Sequence, residues 1–562
     1  MVGRHQYDAG MAAKFSRRSL FGGAAAGGIG LAIGTVNRAS AQVLPAPDSI
    51  DATDPALLGA VEAASLLQAG VLSPRELLDA CFARSRAMDG PVNAWIRIYP
   101  EVAYTAADAA ATRLSAAGRT REVGGVPLVC GLPIGLKDLY AVSGLPLTAS
   151  SRVLEGNVAA GDSGIWRRLR DAGMVLMGHT HTHEFAIGVA TSQVGNPWDL
   201  SKSVGGSSGG SAAALAASFT PLAAGTDTGG SLRIPASACG IASIKPTFGR
   251  CSTAGVIPLA WSRDHTGPMA RNVSDAALLL TYMAGVDVED PTTSAAPDVP
   301  RGGYPISAAG GDAPLSGRKI GLPVNAVGEL PSPLATLFDE ALNQARRLGA
   351  EIVDVELPSV PDSLLLGDSV EVGAYHQQFG DRIGLYEPDN ALLMGRNMIA
   401  LASPVSDYLA IERDRLRFQR DYNRMFLDFG LDAVVLPGAT VDGVTRNQLS
   451  GFSVFDGVIA NVVWANYAAV PALCLPVGRS QETGMPFGIQ LGGLAWQEST
   501  IIEIALELEA AAPHWRHSPQ WPAAPRVIPE VALTKPGLGP EATNTRSDPP
   551  SLYALPTQST RA

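Results

Sequence analysis

Gly205-Gly206-Ser207-Ser208-Gly209-Gly210-Ser211 and, further on, Gly225-Thr226-Asp227-Thr228-Gly229-Gly230-Ser231-Leu232-Arg233-Ile234-Pro235 are two glycine-rich serine loops set among apolar segments. Glycine lets backbone N–H groups approach a ligand closely, and successive N–H groups form a nest for an anion, either a phosphate or a developing oxyanion. The phosphate reading fails on detail. A Walker loop needs Gly-Lys-Ser/Thr, the sequence has no Gly-Lys dipeptide, and GxGxxG with a downstream acid is also missing. A flexible linker would lie in a long polar tract, which these loops do not. What remains is a pair of serines, Ser207 and Ser231, in need of a base, because a hydroxyl is a weak nucleophile until its proton is taken.

Histidine is the usual base, and His179, His181 and His183 alternate as residues on one face of a strand do. No recognisable metalloenzyme spacing surrounds them, so a structural or surface role is preferred over a metal site. The other source of a base is lysine. Arginine supplies 36 of the 42 basic side chains, and lysine occurs only at positions 14, 137, 202, 245, 319 and 535. Arginine stays protonated, whereas a buried lysine can become neutral. Moving a lysine from about 10.4 to about 7 corresponds to about 4.6 kcal/mol, which only a desolvated site imposes. Lys137 ends the apolar run Val126 to Leu136, with Asp138 expected on the opposite face of extended chain. Lys245, in Ile244-Lys245-Pro246, is an equal rival on these grounds.

The surrounding chain reads as alternating strands and helices, hence an α/β fold. Ser73 to Ala87 predicts a helix with a capping box from Ser73 to Glu76. Val126 to Leu136 and Val175-Leu176-Met177 predict short buried strands, and Ser211 to Ser218 a small-residue helix. Asp287 to Pro314, rich in Pro, Gly and Ser, predicts a surface excursion between two halves of one domain.

Of the 562 residues 46% are hydrophobic and 17% charged, as in a globular chain with a large core. The formal charge is −11, and setting aside residues 1–41 leaves 37 basic against 52 acidic groups, or −15. So acidic a body disfavours nucleic acid as a partner. Five scattered cysteines, an odd number without a CxxC pair, imply neither a zinc site nor a disulfide framework.

Residues 1–41 read as an address. Ser16-Arg17-Arg18-Ser19-Leu20-Phe21 resembles the twin-arginine export motif, a glycine-rich apolar stretch follows to Gly34, and Ala39-Ser40-Ala41 offers a cleavage site. The apolar stretch is too short and too glycine-rich for a membrane span, so the expectation is a periplasmic or secreted protein without stable membrane insertion. Residues 534–562, rich in Pro, Ser and Thr, predict a disordered tail.

Taken in order, Leu132-Pro133-Ile134-Gly135-Leu136-Lys137-Asp138, Asn196-Pro197-Trp198-Asp199, both serine loops, Cys239-Gly240 through Lys245-Pro246-Thr247, Asp264 with Gly267-Pro268, and Asn466 with Pro471-Ala472 resemble the amidase signature family. The resemblance runs from about Asp54 to about Ala511, within a catalytic domain expected at 50–525. It implies an α/β/α sandwich around a large mixed β-sheet, with no metal or organic cofactor. It also implies a triad of Lys137, Ser207 preceded by a cis peptide, and Ser231 as nucleophile, with backbone N–H groups of Thr228, Gly229, Gly230 and Ser231 as the oxyanion hole. Asp227 and Arg233 are expected to order the nucleophile loop, and the three histidines to shape specificity. The implied reaction is hydrolysis of the C–N bond of a small-molecule amide or carbamate. The apolar segments Phe185 to Ala190 and Ile257 to Trp261 point to a neutral substrate, with Arg413 or Arg415 as distant sources of charge in the opposite case. Two alternatives are a glutamine-hydrolysing component of transfer-RNA amidation, which needs a cytoplasmic location and partner subunits, and a noncatalytic small-ligand binding protein.

Overall fold

Eleven strands form one mixed sheet: β1 (Trp95–Ile98), β2 (Pro133–Lys137), β3 (Val175–Thr180), β4 (Leu222–Asp227), β5 (Ala242–Lys245), β6 (His265–Ala270), β7 (Lys319–Pro323), β8 (Glu351–Val355), β9 (Ala433–Pro437), β10 (Ala472–Arg479) and β11 (Pro486–Gly492). The structure is a computed structural model describing residues 42–120, 125–446, 458–459, 461–516 and 518–519. The expected export segment at 1–41 and the expected tail at 534–562 lie outside the described residues. The strand order is β1-β3-β2-β4-β6-β5-β10-β11-β9-β7-β8. Parallel pairs link β2 with β3 and β4, and β7 with β8 and β9, while the remaining neighbours run antiparallel.

The central strands β2 to β6 are buried along their whole length. That is the signature of a sheet covered on both faces, and helices on both faces make it an α/β/α sandwich, as expected. Helix Gly209–Ala216, built from Gly, Ser, Ala and Leu and wholly buried, lies against β2 and β4. Its small side chains let it sit closely on the sheet, and it starts immediately after Ser207-Ser208. A Cβ on Gly206 would stand 2.7 Å from the Ala190 nitrogen, and one on Gly210 would stand 2.5 Å from that of His181. These two glycines are what allow the first serine loop to press against residues 181–190.

Local predictions hold with shifted ends. The capping box of Ser73 and Glu76 is formed, and the helix runs Pro74–Val92, beyond the expected Ala87. Pro91 falls in its last turn, ahead of a left-handed Asn93 that ends it. The predicted strand at Val126 to Leu136 is shorter than expected. Hydrogen bonds from Cys130 to Pro127 and from Leu132 to Val129, with Gly131 at φ +86°, make its first half a pair of turns. The segment from Asp287 is irregular, as expected, but anchored: Asp287 accepts from Ser252 Oγ at 2.7 Å and Asp290 from the Thr253 amide at 2.7 Å. No helix among the described residues is long and apolar enough to cross a membrane.

Candidate functional site

Lys137 is the last residue of β2, and its parallel neighbour β4 ends at Thr226 and Asp227, so the carboxyl ends of two central strands meet at one point. Lys137 has no exposed surface. Its Nζ lies 2.7 Å from Ser207 Oγ, 3.0 Å from Ser208 Oγ and 2.8 Å from Thr226 Oγ1. Burial pushes the lysine down to about 7, with the charges of Asp227 and Asp264 acting in the opposite direction. Asp138 faces away, as expected, and bonds Arg97, Thr148 and the Ser150 amide.

The rival lysine is equally buried but differently partnered. Lys245 Nζ donates to the carbonyls of Pro246 and Val470, and burial lowers it well below the ordinary range. Carbonyls only accept, so neither of these two partners has a proton to give Lys245. Hydroxyls do both.

The peptide bond between Gly206 and Ser207 is cis. The Ser207 carbonyl accepts from the His183 amide at 3.0 Å and from Thr182 Oγ1 at 3.1 Å. The two serine loops are joined by the Ser208 amide donating to the Ser231 carbonyl at 3.2 Å. Ser231 is 6% exposed, and no hydrogen bond to its hydroxyl forms among the described residues. The loop carrying it is fixed from below. Asp227 accepts from the amides of Gly230 and Leu232 and from Arg233 at 3.1 Å, while Arg233 also donates to the Val462 carbonyl, Gln490 and Asn466. Burial alone would raise the Asp227 carboxyl, but the Arg233 guanidinium, aided by Lys245 and Asn466, holds it below the ordinary carboxylate range.

Of the four N–H groups expected to face an oxyanion, that of Gly230 is already donated to Asp227 Oδ1 at 2.8 Å. Those of Thr228, Gly229 and Ser231 have no hydrogen-bond partner among the described residues. Three of the four expected N–H groups are therefore left unengaged among the described residues.

The histidines do not act together. β3 stops at Thr180, so the alternation read from sequence fails at positions 181 and 183. His179 bonds Tyr99 Oη at 2.9 Å and the Tyr140 carbonyl at 3.0 Å, His181 bonds Ser150 Oγ at 3.2 Å, and His183 bonds the Ala190 carbonyl and Asn390 Oδ1. Burial lowers both His179 and His183. No group of three His, Cys, Asp or Glu able to hold a metal occurs among the described residues.

A cleft reaches this site through Thr226 and Thr228, and its walls include Leu139, Ala186, Ile257, Pro258, Leu259 and Trp261. Of the expected segment Phe185 to Ala190, only Ala186 lines it. Phe185 is fully buried against His376, Phe379 and Tyr386 and packs the core instead. Arg415 is engaged by the Ser262 carbonyl and Glu412, and Arg413 lies on the exposed side of its helix. Residues that sequence reasoning missed are Ser208 and Thr226. Thr226 was findable: in a strand, Thr226 and Asp227 face opposite ways, and Asp227 belongs to the nucleophile loop.

Comparison with known proteins agrees with this geometry. Residues 76–502 match the family described as Amidase. The chain is 34% identical over 486 residues to a glutamyl-tRNA(Gln) amidotransferase subunit from Anaeromyxobacter dehalogenans (strain 2CP-C), covering 80% of this chain and 96% of that one. Among solved structures, 6-aminohexanoate cyclic dimer hydrolase complexed with substrate superposes with a TM-score of 0.73 at 29% identity, covering 83% of this chain and 99% of that one. The peptide amidase of Stenotrophomonas maltophilia gives 0.67 at 30% identity, covering 83% and 98%. With the match running through most of its length and these relatives covered almost end to end, the chain belongs to the amidase family.

Proposed function

We propose that the chain hydrolyses the C–N bond of an amide through an acyl-enzyme on Ser231. The observation that carries this reading is Lys137, buried, lowered to about 7 and, among the described residues, hydrogen-bonded to hydroxyls alone. Neutral Lys137 has two N–H donors and one lone pair. Ser208 Oγ donates its own proton to the Thr226 carbonyl at 3.1 Å, so towards Lys137 it accepts. With Ser208 and Thr226 taking the two N–H donors, the lone pair is left for the proton of Ser207.

The steps follow. Ser231 Oγ attacks the amide carbon, its proton passes to Ser207, and the Ser207 proton passes to Lys137. The carbonyl electron pair moves onto oxygen, where the N–H groups of Thr228, Gly229 and Ser231 stabilise it. As the tetrahedral species collapses, the C–N bond breaks and the relay returns a proton to the leaving nitrogen. Water then releases the acid from Ser231 by the same relay.

Two substrate classes compete. The apolar cleft wall, with Arg415 already engaged, supports a neutral amide. The names of the relatives support glutamine, and across the comparisons they carry more weight than the wall does. The catalytic efficiency of the purified protein on a neutral anilide and on glutamine decides: preference for the anilide supports the neutral reading, preference for glutamine rejects it, and turnover of neither favours a binding protein. The twin-arginine motif further supports export. A mature chain starting near Gln42, read by N-terminal sequencing, is the expected result, and a soluble chain that keeps Met1 would refute it.

A further inference from the structure

The cleft-wall loop 257–264 is held from two sides, and the residue between the holds is Trp261. On one side, Asp264 accepts from the amides of Leu259 and Ala260 at 2.9 and 3.1 Å and from Thr228 Oγ1 at 2.6 Å. That ties the wall to the loop bearing Ser231. On the other side, two long helices, Ser363–His376 and Val405–Phe429, take hold of Ser262 and Arg263. Glu371 accepts from the Ser262 amide at 3.1 Å, from its hydroxyl at 2.5 Å and from Arg263 at 2.9 Å, while Arg415 donates to the Ser262 carbonyl at 2.8 Å. Arg263 is fully buried and also meets Asp368 at 2.6 Å and Glu412 at 2.9 Å. Tyr408 Oη donates to Glu371 at 2.9 Å.

Burying a guanidinium with three carboxylates is a costly way to gain stability, since apolar packing does the same at lower cost. What such a network gives is register: the backbone N–H and carbonyl of Ser262 are both claimed by helix side chains. Trp261, one residue earlier, is 41% exposed and lines the cleft. Its flat apolar surface is therefore presented at a position dictated by Glu371.

We propose that Trp261 is the specificity-determining wall of the cleft, selecting amides whose acyl part carries a flat apolar group, and that Glu371 is its positioning residue. This rests on the reading of the cleft as an amide site. Glu371 touches no reacting atom and acts through Ser262 and Arg263.

The test compares benzamide with propionamide, which release the same ammonia and differ only in the acyl group, on full-length protein normalised by fluorophosphonate titration of Ser231. Trp261→Ala lowers the benzamide-to-propionamide ratio of kcat/KM by about tenfold, mainly through KM for benzamide. Trp261→Phe keeps most of the ratio. Glu371→Gln shifts it in the same direction by about fivefold, as does Tyr408→Phe to a smaller extent, which keeps the test open if Glu371→Gln fails to fold. A merely structural role for Glu371 would scale both substrates together and leave the ratio unchanged. Ratios within twofold of wild type in Trp261→Ala, or in both Glu371→Gln and Tyr408→Phe, overturn the proposal while leaving amide hydrolysis intact. A wild type that hydrolyses neither benzamide nor propionamide overturns the underlying reading, and this one with it.

Discussion

Lys137 and Lys245 sit at the ends of β2 and β5, each preceded by an apolar residue and each without exposed surface. Burial disfavours the charged form of both, so depth alone distinguishes nothing. The difference lies in what each amine touches. Of the three hydroxyls around Lys137, those of Ser208 and Thr226 accept its N–H groups, and that of Ser207 is placed to give a proton in one state and take it back in the next. Two carbonyls around Lys245 can only receive hydrogen bonds, and they tie the end of β5 to the chain at Val470. In the proposed reading one site serves proton traffic and the other fixes backbone, from the same residue type at the same depth.

The largest effect expected is at the end of the relay. Ser231→Ala loses turnover by roughly 10⁴-fold or more and loses fluorophosphonate labelling, because no other hydroxyl replaces the nucleophile. Normal labelling in that variant would place the nucleophile elsewhere. Next comes the comparison itself. Lys137→Arg puts a permanently charged group where the account needs a neutral amine and removes the base, so turnover per folded molecule falls by about 10³-fold. Lys245→Arg instead lowers the melting temperature, since a bulkier, permanently charged guanidinium with five donors enters a pocket offering two carbonyls, and kcat per labelled site stays within about threefold. The opposite pattern, with Lys245→Arg dead and Lys137→Arg active, would break the contrast. A smaller effect tests its finer detail. Thr226→Val removes one acceptor of the charged amine, so the protonated form loses support and the acid limb of the rate profile moves to lower pH, with a fall of about fivefold in kcat. Movement to higher pH would show that Thr226 acts otherwise.

Much of this is readable in the sequence, and the failures share a cause. The serine loops, the strand leading to Lys137, the Ser73 cap and the opposite orientation of Asp138 follow from local rules about glycine, capping and strand alternation. The choice between the lysines does not. The distinguishing partners arrive from remote chain, Ser208 and Thr226 for one and Val470 for the other, and only tertiary packing assembles them. The shared face of the three histidines is not legible because period-two alternation assumes a strand that continues, and β3 ends one residue before His181. The resemblance implies Gly230 among the oxyanion donors, and sequence alone does not show that Asp227, three residues earlier, accepts its N–H.

The central claim is that a neutral Lys137 draws the proton that activates Ser231. The most direct measurement is the rate of Ser231 modification by a fluorophosphonate, a reagent without a titrating group, as a function of pH. Below about 7 the ammonium of Lys137 donates to all three hydroxyls and has no lone pair to offer Ser207, whereas above it the pair is free. The rate is predicted to rise with pH through a midpoint near 7 and then level off. A midpoint near that of an ordinary lysine, or a rate indifferent to pH, would contradict the account.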